Sequence, residues 1–308
     1  MAMTEKVEFL YMDGKVVPFG QANVHMLSPA VRYGASVFEG LRGYWNQEMK
    51  QLFVFRLPDH SKRLQQSMKL MRMVEIYPID KLNKAVIEVI RANHFEQDIH
   101  IRQIVYVGGD GPVTSTAPIS MFVAALPKGR KYDTAQGVRA CVSSWTRISD
   151  NSIPPRIKCA ANYQNSRLAH IQAKLDGYDT AIFINQQGKV SEGPGECIFI
   201  VRDGIPITPS VNSDILESIT RKTLIYLFKE FFGLETQERE VDRTELYIAD
   251  EAFLVGSGTE VSHVTAIDKH IIGDGEIGPL TRKVSEAYFQ IVRGINRSNE
   301  EWRFPIYP

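Results

Sequence analysis

Residues 191–196 read SEGPGE and are followed at once by the apolar run CIFIV at residues 197–201. Turn-forming sequences lie on both sides of this stretch, NQQG at residues 185–188 and Asp203-Gly204. Such turns between apolar runs predict two β-hairpins, with the glycine-rich stretch as a tight loop between them. A loop of small residues can bring a carboxylate close to a bound group, and this loop holds two, Glu192 and Glu196. A solvated loop is the alternative that composition alone leaves open.

Strands and helices alternate outward from this loop through the whole chain. Apolar runs predict strands at residues 7–12, 52–56, 101–107, 119–125 and 138–144. Apolar residues at helical spacing predict helices at residues 161–175, 219–232 and around 280–291. Two more helices are expected to open at Asp59, as an N-cap, and at Asp80. In the helix at residues 161–175, Leu168, Ile171 and Leu175 are expected to face inward.

This mixture of elements predicts an α+β fold in two domains, since ~150 residues per domain is a usual size. The sequence PKGRK at residues 127–131 is interrupted by proline and glycine, which is typical of a linker. We therefore predict a small domain over residues 1–126, a linker over residues 127–136 and a large domain over residues 137–308.

Composition excludes several classes of protein. The 308 residues contain 36 Lys and Arg against 36 Asp and Glu, so there is no basic excess for a nucleic-acid or anionic-membrane partner. The three cysteines are too few and too scattered for a disulfide framework or a zinc cluster, which fits a reducing compartment. No apolar run approaches the ~18 residues that a membrane span needs. A cytoplasmic location is expected.

Several common catalytic motifs do not occur in the sequence. The seven histidines show no HExxH spacing, and there is no GxSxG nucleophile elbow. The glycines at residues 108–111 and 256–258 match neither a P-loop nor a GxGxxG fingerprint. These absences count against a hydrolase, a metalloenzyme and a nucleotide-binding protein.

The glycine-rich loop, Lys158 and Ser218 together favour pyridoxal-phosphate chemistry. That cofactor needs a carboxylate to keep its ring nitrogen protonated, and the loop offers two candidates, Glu192 and Glu196. It also needs a lysine, and Lys158 lies between apolar and small residues, where loss of hydration makes an amine a usable nucleophile. Ser218 begins the helix at residues 219–232, so the first amides of that helix are candidate phosphate donors, although a plain N-cap is the alternative.

Five segments of the chain, in order, resemble the class IV aminotransferases, which share pyridoxal-phosphate fold type IV. They are YGASVFEGLRGY at residues 33–44, IKCAANY at 157–163, SEGPGE at 191–196, ITR at 219–221 and ADE at 249–251. The sequence is most similar to the branched-chain amino acid aminotransferases. The resemblance implies a large domain that forms a pseudo-barrel. It also implies transfer of an amino group from branched-chain L-amino acids to 2-oxoglutarate, in a homodimer or larger homo-oligomer.

The resemblance implies roles for residues at the cofactor. Lys158 would bond covalently to pyridoxal phosphate, and would also carry the proton that moves during the reaction. Glu192 would pair with the pyridine nitrogen, and Tyr163 would hydrogen-bond the phenolic oxygen. The groups expected to hold the phosphate are the Arg63 side chain, the amides of Ile219 and Thr220, and Ser257.

The resemblance also implies a set of substrate residues. They are Tyr33, Phe38, Arg42, His100, Arg102, Gly258 and Thr259. Arg102 would bind the side-chain carboxylate of glutamate, and the turn Ser257-Gly258-Thr259 would offer amides to the α-carboxylate. No metal is expected.

The substrate end departs from the family pattern. His100 stands where the branched-chain enzymes usually have tyrosine, Gln103 where they usually have proline, and Lys128 where an aromatic residue is common. A protonated His100 would add positive charge near a carboxylate, so we expect tighter 2-oxoglutarate binding as the pH falls towards ~6.5.

Two classes of alternative follow from these departures. The first is another enzyme of this fold: a D-amino acid or (R)-amine transaminase, or an aminodeoxychorismate lyase. The second is a binding protein without activity. The run FEGLRGY at residues 38–44 counts against the first class, and the presence of both Lys158 and Glu192 counts against the second.

Overall fold

The computed structural model describes residues 7–132 and 136–308, so residues 133–135 of the predicted linker lie outside the described residues. The chain divides into two compact units. The first contains the chain up to Gly129, Ile157–Ala161 and Gln290–Pro308, and the second contains Arg130–Arg156 and Asn162–Phe289.

The predicted strands and helices form in the predicted order, together with elements that were not predicted, among them the strands Ser36–Asn46, Glu251–Gly256 and Glu260–Ile267. The strands are β1 Phe9–Met12, β2 Lys15–Pro18, β3 Ser36–Asn46, β4 Gln51–Phe55, β5 Ile99–Val107, β6 Ile119–Pro127, β7 Val138–Thr146, β8 Thr180–Ile184, β9 Cys197–Arg202, β10 Ile205–Pro209, β11 Gln237–Arg239, β12 Glu251–Gly256, β13 Glu260–Ile267, β14 His270–Ile271 and β15 Arg303–Pro305. The helices are α1 Pro29–Tyr33, α2 Leu57–Leu70, α3 Ile79–Asn93, α4 Tyr163–Leu175, α5 Ile219–Phe232, α6 Arg243–Tyr247 and α7 Pro279–Val292, with short 3-10 turns at Phe19–Gln21 and Glu300–Trp302.

The first unit is built on a seven-stranded antiparallel sheet in the order β15-β4-β3-β5-β6-β1-β2. Helices α2 and α3 pack on this sheet, and alternation along β3 sends Val37, Glu39 and Leu41 into the buried interior. Each fully buried leucine or valine side chain contributes about 1.5–3 kcal/mol relative to leaving it exposed. The intervening residues of β3, among them Phe38 and Arg42, lie on the opposite face.

The second unit is built on a mixed eight-stranded sheet. Seven strands follow the order β11-β10-β9-β12-β13-β7-β8, and β14 pairs with β13. The β9–β10 pair is a hairpin that turns at Asp203-Gly204, as predicted, with both residues at positive φ. The turn at residues 185–188 also forms, since Asn185 N donates to the carbonyl of Lys189 at 2.8 Å. Helix α5 coincides with the predicted helix and ends at Gly233, which adopts the left-handed conformation.

The predicted starts of two helices were wrong, by three residues for α2 and by one residue for α3. Helix α2 begins at Leu57, with Arg56 as its N-cap, and Asp59 lies inside the first turn, where it accepts from Arg56 Nε at 2.7 Å. Pro58 explains the earlier start, because proline is favoured in a first turn whose amides need no partner. Helix α3 begins at Ile79, so Asp80 also lies in the first turn, where a carboxylate stabilises the helix dipole.

The predicted inward face of helix α4 was wrong. Leu168, Ile171 and Leu175 are 41%, 41% and 77% exposed. The buried face instead carries small residues, among them Ala169 and Ala173, which pack in one cluster with Phe183 and other residues of the second unit. Close approach of a helix to a sheet favours alanine over leucine, so the larger apolar side chains remain on the outer face.

The two compact units are not continuous segments of the chain. Residues 157–161 belong with the first unit because Cys159 forms an isolated β-bridge with Val37. The C-terminal residues belong with it because β15 pairs with β4. The predicted large domain at residues 137–308 includes both of these segments, and its boundaries stay a prediction.

None of the helices among the described residues is long and apolar enough to cross a membrane. Within the same residues, no group of three or more His, Cys, Asp or Glu side chains has the geometry to hold a metal ion.

Candidate active site

Lys158 lies in a segment that is hydrogen-bonded to β3 and α2. Its amide donates to Ser67 Oγ at 3.2 Å, and its carbonyl accepts from the amide of Phe38 at 2.9 Å. The side-chain Nζ lies 4.8 Å from the centroid of the Phe38 ring, a distance at which a cation and an aromatic face attract each other. The predicted catalytic lysine and the predicted pocket aromatic are therefore neighbours within the first unit.

Arg63 lies on the buried face of α2 and is paired with Glu39. Its Nε and Nη2 donate to the two oxygens of Glu39, each at 2.7 Å, and Nδ1 of His60 lies 2.6 Å from Oε2 of Glu39. Burial of Glu39 favours the neutral acid, but Arg63 and His60 outweigh it and lower the pKa of Glu39 to about 2. Burial lowers the pKa of His60, so a neutral imidazole donates its Nδ1–H to Glu39. The sequence did not indicate this triad.

The outer face of the first sheet brings together four of the predicted substrate residues. Strands β3 and β5 pair with Arg42 opposite His100 and Gly40 opposite Arg102, and Phe38 lies on the same face of β3. Arg102 is exposed, whereas Arg42 is 2% exposed and donates from Nη1 to the carbonyls of Lys128 and Gly129 at 2.8 and 3.3 Å. The predicted substrate face thus carries two arginines in different environments.

The expected rise in 2-oxoglutarate binding depended on a protonated His100, and the surroundings of His100 oppose its protonation near pH 6.5. Its side chain is buried, and burial, together with the nearby cations Lys128, Arg102, Arg42 and Lys158, lowers its pKa to about 3. Among the described residues its Nδ1 has no hydrogen-bond partner. His100 is therefore a neutral group on a positively charged face.

Glu192 is buried in the second unit and is held at both oxygens. Arg147 Nη2 donates to Oε1 at 2.6 Å, and the amide of Leu216 donates to Oε2 at 3.1 Å. The Cys197 thiol lies 3.7 Å from Oε2, and burial, aided by the Glu192 carboxylate, raises its pKa, so it remains a protonated donor. The predicted carboxylate is thus fixed in position, as the glycine-rich loop suggested. Arg147 was missed, because an arginine that follows the sequence SSWT at residues 143–146 resembles a surface residue.

Glu196, the other carboxylate of the loop, has different partners. Lys131 Nζ lies 3.3 Å from both of its oxygens, and the hydroxyls of Tyr132 and Thr180 lie 3.3 and 3.2 Å from Oε1. Gly193 is required between the two carboxylates, since a Cβ at that position would lie 2.9 Å from Glu196 Cγ. The loop therefore presents two carboxylates in separate networks.

The first turn of helix α5 offers two amide donors. Ser218 caps the helix by accepting from the amide of Arg221 at 3.2 Å. Within the described part of the chain, the amides of Ile219 and Thr220 are assigned no acceptor, although both residues are buried. Buried amides are almost always paired, so this helix end has the character of an anion site.

The turn at residues 257–259 lies next to the Glu192 loop. A Cβ on Gly256 would come 3.2 Å from the carbonyl oxygen of Gly195, a tight contact, so the close approach of these segments favours glycine. The turn is fixed by a hydrogen bond from the amide of Thr259 to the carbonyl of Gly256 at 3.2 Å. Ser257 and Gly258 are half-buried and Thr259 is buried.

Two further predicted residues occupy helix ends. Tyr163 is the first residue of α4 and is half-buried. Tyr33 is the last residue of α1, is 41% exposed, and accepts from Arg32 through its hydroxyl. Neither position tests the role that the resemblance implies, so both roles stay predictions.

The residues present fit pyridoxal phosphate. The second unit holds a buried carboxylate in a fixed position and two buried amides that are assigned no acceptor, and the first holds a lysine over an aromatic ring. A fold of two α+β units with these groups defines an enzyme of pyridoxal-phosphate fold type IV, as predicted.

Comparison with known proteins gives the family. The sequence profile of the family "Amino-transferase class IV" matches residues 36–267. The chain is 41% identical to the "Probable branched-chain-amino-acid aminotransferase" of Aquifex aeolicus, over 100% of this chain and 99% of that protein. The chain belongs to the class IV aminotransferases, which confirms the family predicted from the motifs.

Solved structures agree with the sequence comparison. The branched-chain amino acid aminotransferase of Thermobaculum terrenum in its PLP form is 42% identical, with a TM-score of 0.94 over 99% of this chain and 100% of that one. The branched-chain aminotransferase of Thermoproteus uzoniensis, solved with norvaline, is 40% identical, with a TM-score of 0.92 over 97% of this chain and 99% of that one.

Proposed function

We propose that this chain is a pyridoxal-phosphate-dependent transaminase that moves the amino group of branched-chain L-amino acids to 2-oxoglutarate. The observation that carries the proposal is Glu192, a buried carboxylate with three donors, in the unit whose α5 amides have the character of an anion site. The names of the full-length relatives support the substrate class. Bound pyridoxal phosphate would supply an electron sink for negative charge at the substrate's α-carbon.

Lys158 is the proposed catalytic residue. With the cofactor bound, its amine would form the covalent bond to the aldehyde carbon, and as a free amine it would carry the proton from the substrate's α-carbon to that cofactor carbon. The hydrogen bonds of its backbone to Ser67 and Phe38 fix where the side chain begins. The Phe38 ring shields the amine from water on one side.

Four groups are proposed to bind the phosphate. They are the side chain of Arg63, the amides of Ile219 and Thr220, and the hydroxyl of Ser257. The amides act through the positive end of the α5 dipole, which favours an anion. Arg63 would contribute hydrogen-bond geometry more than net positive charge, because Glu39 already balances the charge of its guanidinium through a bidentate pair. Glu192 is proposed to bind the ring nitrogen of the cofactor, and Tyr163 its phenolic oxygen.

The outer face of the β3–β5 pair is proposed as the substrate surface. Phe38 and Tyr33 contact an aliphatic side chain, and Arg102 binds the side-chain carboxylate of glutamate or 2-oxoglutarate. Because Arg102 is exposed, water can solvate its charge when leucine replaces glutamate. Arg42 and the neutral His100 lie beside it, and the turn containing Gly258 and Thr259 is proposed for the α-carboxylate.

The assembly and the location of the protein are also proposals. A homodimer or larger homo-oligomer is proposed from the family resemblance, and a cytoplasmic location from the few scattered cysteines, which fit a reducing compartment. Size-exclusion chromatography with light scattering tests the first, since a monomer at micromolar concentration would contradict it. No nucleic acid or membrane partner is proposed, because the chain carries equal numbers of acidic and basic residues.

A donor panel tests the proposed activity. The cofactor-loaded protein is assayed with L-leucine, D-alanine and (R)-1-phenylethylamine, each with 2-oxoglutarate as acceptor. We expect glutamate formation to be fastest with L-leucine. A preference for D-alanine or for the amine would assign the chain to another activity of this fold. No transfer from any donor, in a protein that binds the cofactor, would contradict the transaminase proposal.

A further inference from the structure

Arg147 is a buried cation that the roles proposed above leave unused. It follows strand β7 directly, and its side chain and that of Glu192 are each 6% exposed. Besides the bond to Glu192, its Nη1 lies 3.4 Å from both Asn165 Oδ1 and Ser166 Oγ, and its Nε lies 3.5 Å from the carbonyl of Asp214. These contacts hold the guanidinium in place independently of its charge partner.

Arg147 brings a full positive charge to Glu192, whereas two of the other donors are neutral. Its Nη2 lies 2.6 Å from Oε1, within ion-pairing distance. Oε2 accepts from the Leu216 amide and from the Cys197 thiol, which carry no charge. The ionisation of Glu192 therefore depends strongly on the Arg147 side chain.

We propose that Arg147 is a positioning residue that keeps the shared proton on the cofactor's ring nitrogen and not on Glu192. The inference rests on the proposed function, because it requires pyridoxal phosphate to bind with its ring nitrogen at Glu192.

The position of a proton between a buried acid and a buried base depends on the charges around both. In a site of low dielectric, burying a carboxylate and burying a protonated pyridine each cost free energy. Transfer of the pyridine proton to the carboxylate would remove both charges. A cation bonded to the carboxylate opposes this transfer, because it stabilises the ionised acid. Coulomb energy falls with distance, so Arg147 acts on the carboxylate that it touches more strongly than on a ring beyond it.

The proposal distinguishes the charge of Arg147 from its packing. Arg147→Met removes the charge and keeps most of the volume. Arg147→Lys keeps the charge but loses the fork that reaches Asn165 and Ser166. A role in packing alone would make both variants defective, whereas a role in proton placement makes only the methionine variant defective.

The experiment is 15N NMR of the protein loaded with pyridoxal phosphate labelled at the ring nitrogen, which reads protonation without any turnover. We expect the wild type and Arg147→Lys to show a protonated ring nitrogen. In Arg147→Met the resonance moves towards the free-base position, with the ratio of protonated to unprotonated ring nitrogen lower by about tenfold for each pKa unit gained by Glu192. Arg139→Met, on the strand β7 that precedes Arg147 and with an exposed side chain, is the control and keeps the wild-type resonance.

Several outcomes would overturn the inference. A protonated nitrogen in Arg147→Met would show that the charge is not needed, and an equal shift in Arg147→Lys would show that packing is the cause. If Arg147→Met does not fold, as judged by circular dichroism, Arg147→Gln takes its place with the same expectation. A wild-type protein that binds no labelled cofactor would contradict the proposed function itself, and this inference with it.

Discussion

At the scale of single residues, the charged groups of the proposed site are controlled by partners that are distant in the sequence. Glu192 is held by Arg147, which precedes it by 45 residues, and Arg63 is held by Glu39, 24 residues before it. Glu196 is engaged by Lys131, 65 residues away. The motifs and the resemblance singled out Glu192, Glu196 and Arg63 but gave no role to their partners, because a pairing over such distances depends on the fold and leaves no local pattern.

Lys158→Ala should abolish multiple-turnover transamination, because the lysine is the proposed covalent and proton-transfer group. The variant should still bind pyridoxal phosphate through the phosphate donors, and Lys69→Ala, on the exposed side of α2, is the control with normal activity. The measurement is borohydride reduction of the loaded protein followed by peptide mapping. A reduced cofactor still attached to the chain in Lys158→Ala would identify a different lysine.

Glu192→Gln should leave the fold intact and lower kcat, because an amide cannot keep the ring nitrogen protonated. The loss of a charged hydrogen bond in a buried site costs ~2–4 kcal/mol, or roughly 30- to 1,000-fold in rate. Glu196→Gln is the matched control in the same loop, and we expect a smaller effect on kcat. The proposed pairing fails if kcat in Glu192→Gln changes by less than about threefold while chemistry is rate-limiting.

Arg102→Ala should weaken glutamate and 2-oxoglutarate far more than leucine. The exposed guanidinium is proposed to bind only the dicarboxylates, and a lost charged hydrogen bond is worth ~1.5–3 kcal/mol. The measurement is kcat/KM for leucine and for glutamate, with Arg139→Ala as an exposed strand arginine for control. Equal losses for both substrates would exclude the proposed role of Arg102.

At the scale of elements, helices were predicted well where several sequence signals agreed. Helix α5 was predicted at its observed bounds because a serine cap, a regular apolar face and a terminal glycine all agree. Helix α4 was predicted with the wrong face, because its alanines give a weaker signal than its leucines and isoleucine although the alanines make the packing contacts. Which face of a helix is buried depends on how closely the neighbouring sheet approaches, and that distance is not a local property.

Strand pairing also changes the expected pH dependence of 2-oxoglutarate binding. The β3–β5 register places His100 beside Arg42 in a buried, cationic surrounding, which lowers its pKa to about 3. The imidazole is therefore neutral throughout pH 6–8, and its titration cannot strengthen 2-oxoglutarate binding in that range. We expect the pH dependence of KM for 2-oxoglutarate to be the same in wild type and His100→Phe. A rise in affinity towards pH 6 that His100→Phe abolishes would contradict this.

At the scale of the whole molecule, the acid stability of the fold should depend on Glu39. Its pKa is lowered from 4.5 to about 2, so the folded state gains stability above pH 4.5 and loses it as the pH falls from 4.5 towards 2. The shift corresponds to on the order of 3 kcal/mol. Urea unfolding of wild type and Glu39→Gln should therefore show a difference in unfolding free energy that shrinks below pH 4.5. A difference independent of pH would mean that the carboxylate charge is not responsible.

The most direct test of the central claim separates the two half-reactions. Protein loaded with pyridoxal phosphate is mixed with L-leucine and no acceptor, and the products are identified by mass spectrometry. We predict 4-methyl-2-oxopentanoate and pyridoxamine phosphate, in amounts equal to the sites present, and then glutamate and regenerated pyridoxal phosphate when 2-oxoglutarate is added. Loaded protein that leaves L-leucine unchanged, or that converts D-alanine or (R)-1-phenylethylamine in its place, would contradict the account.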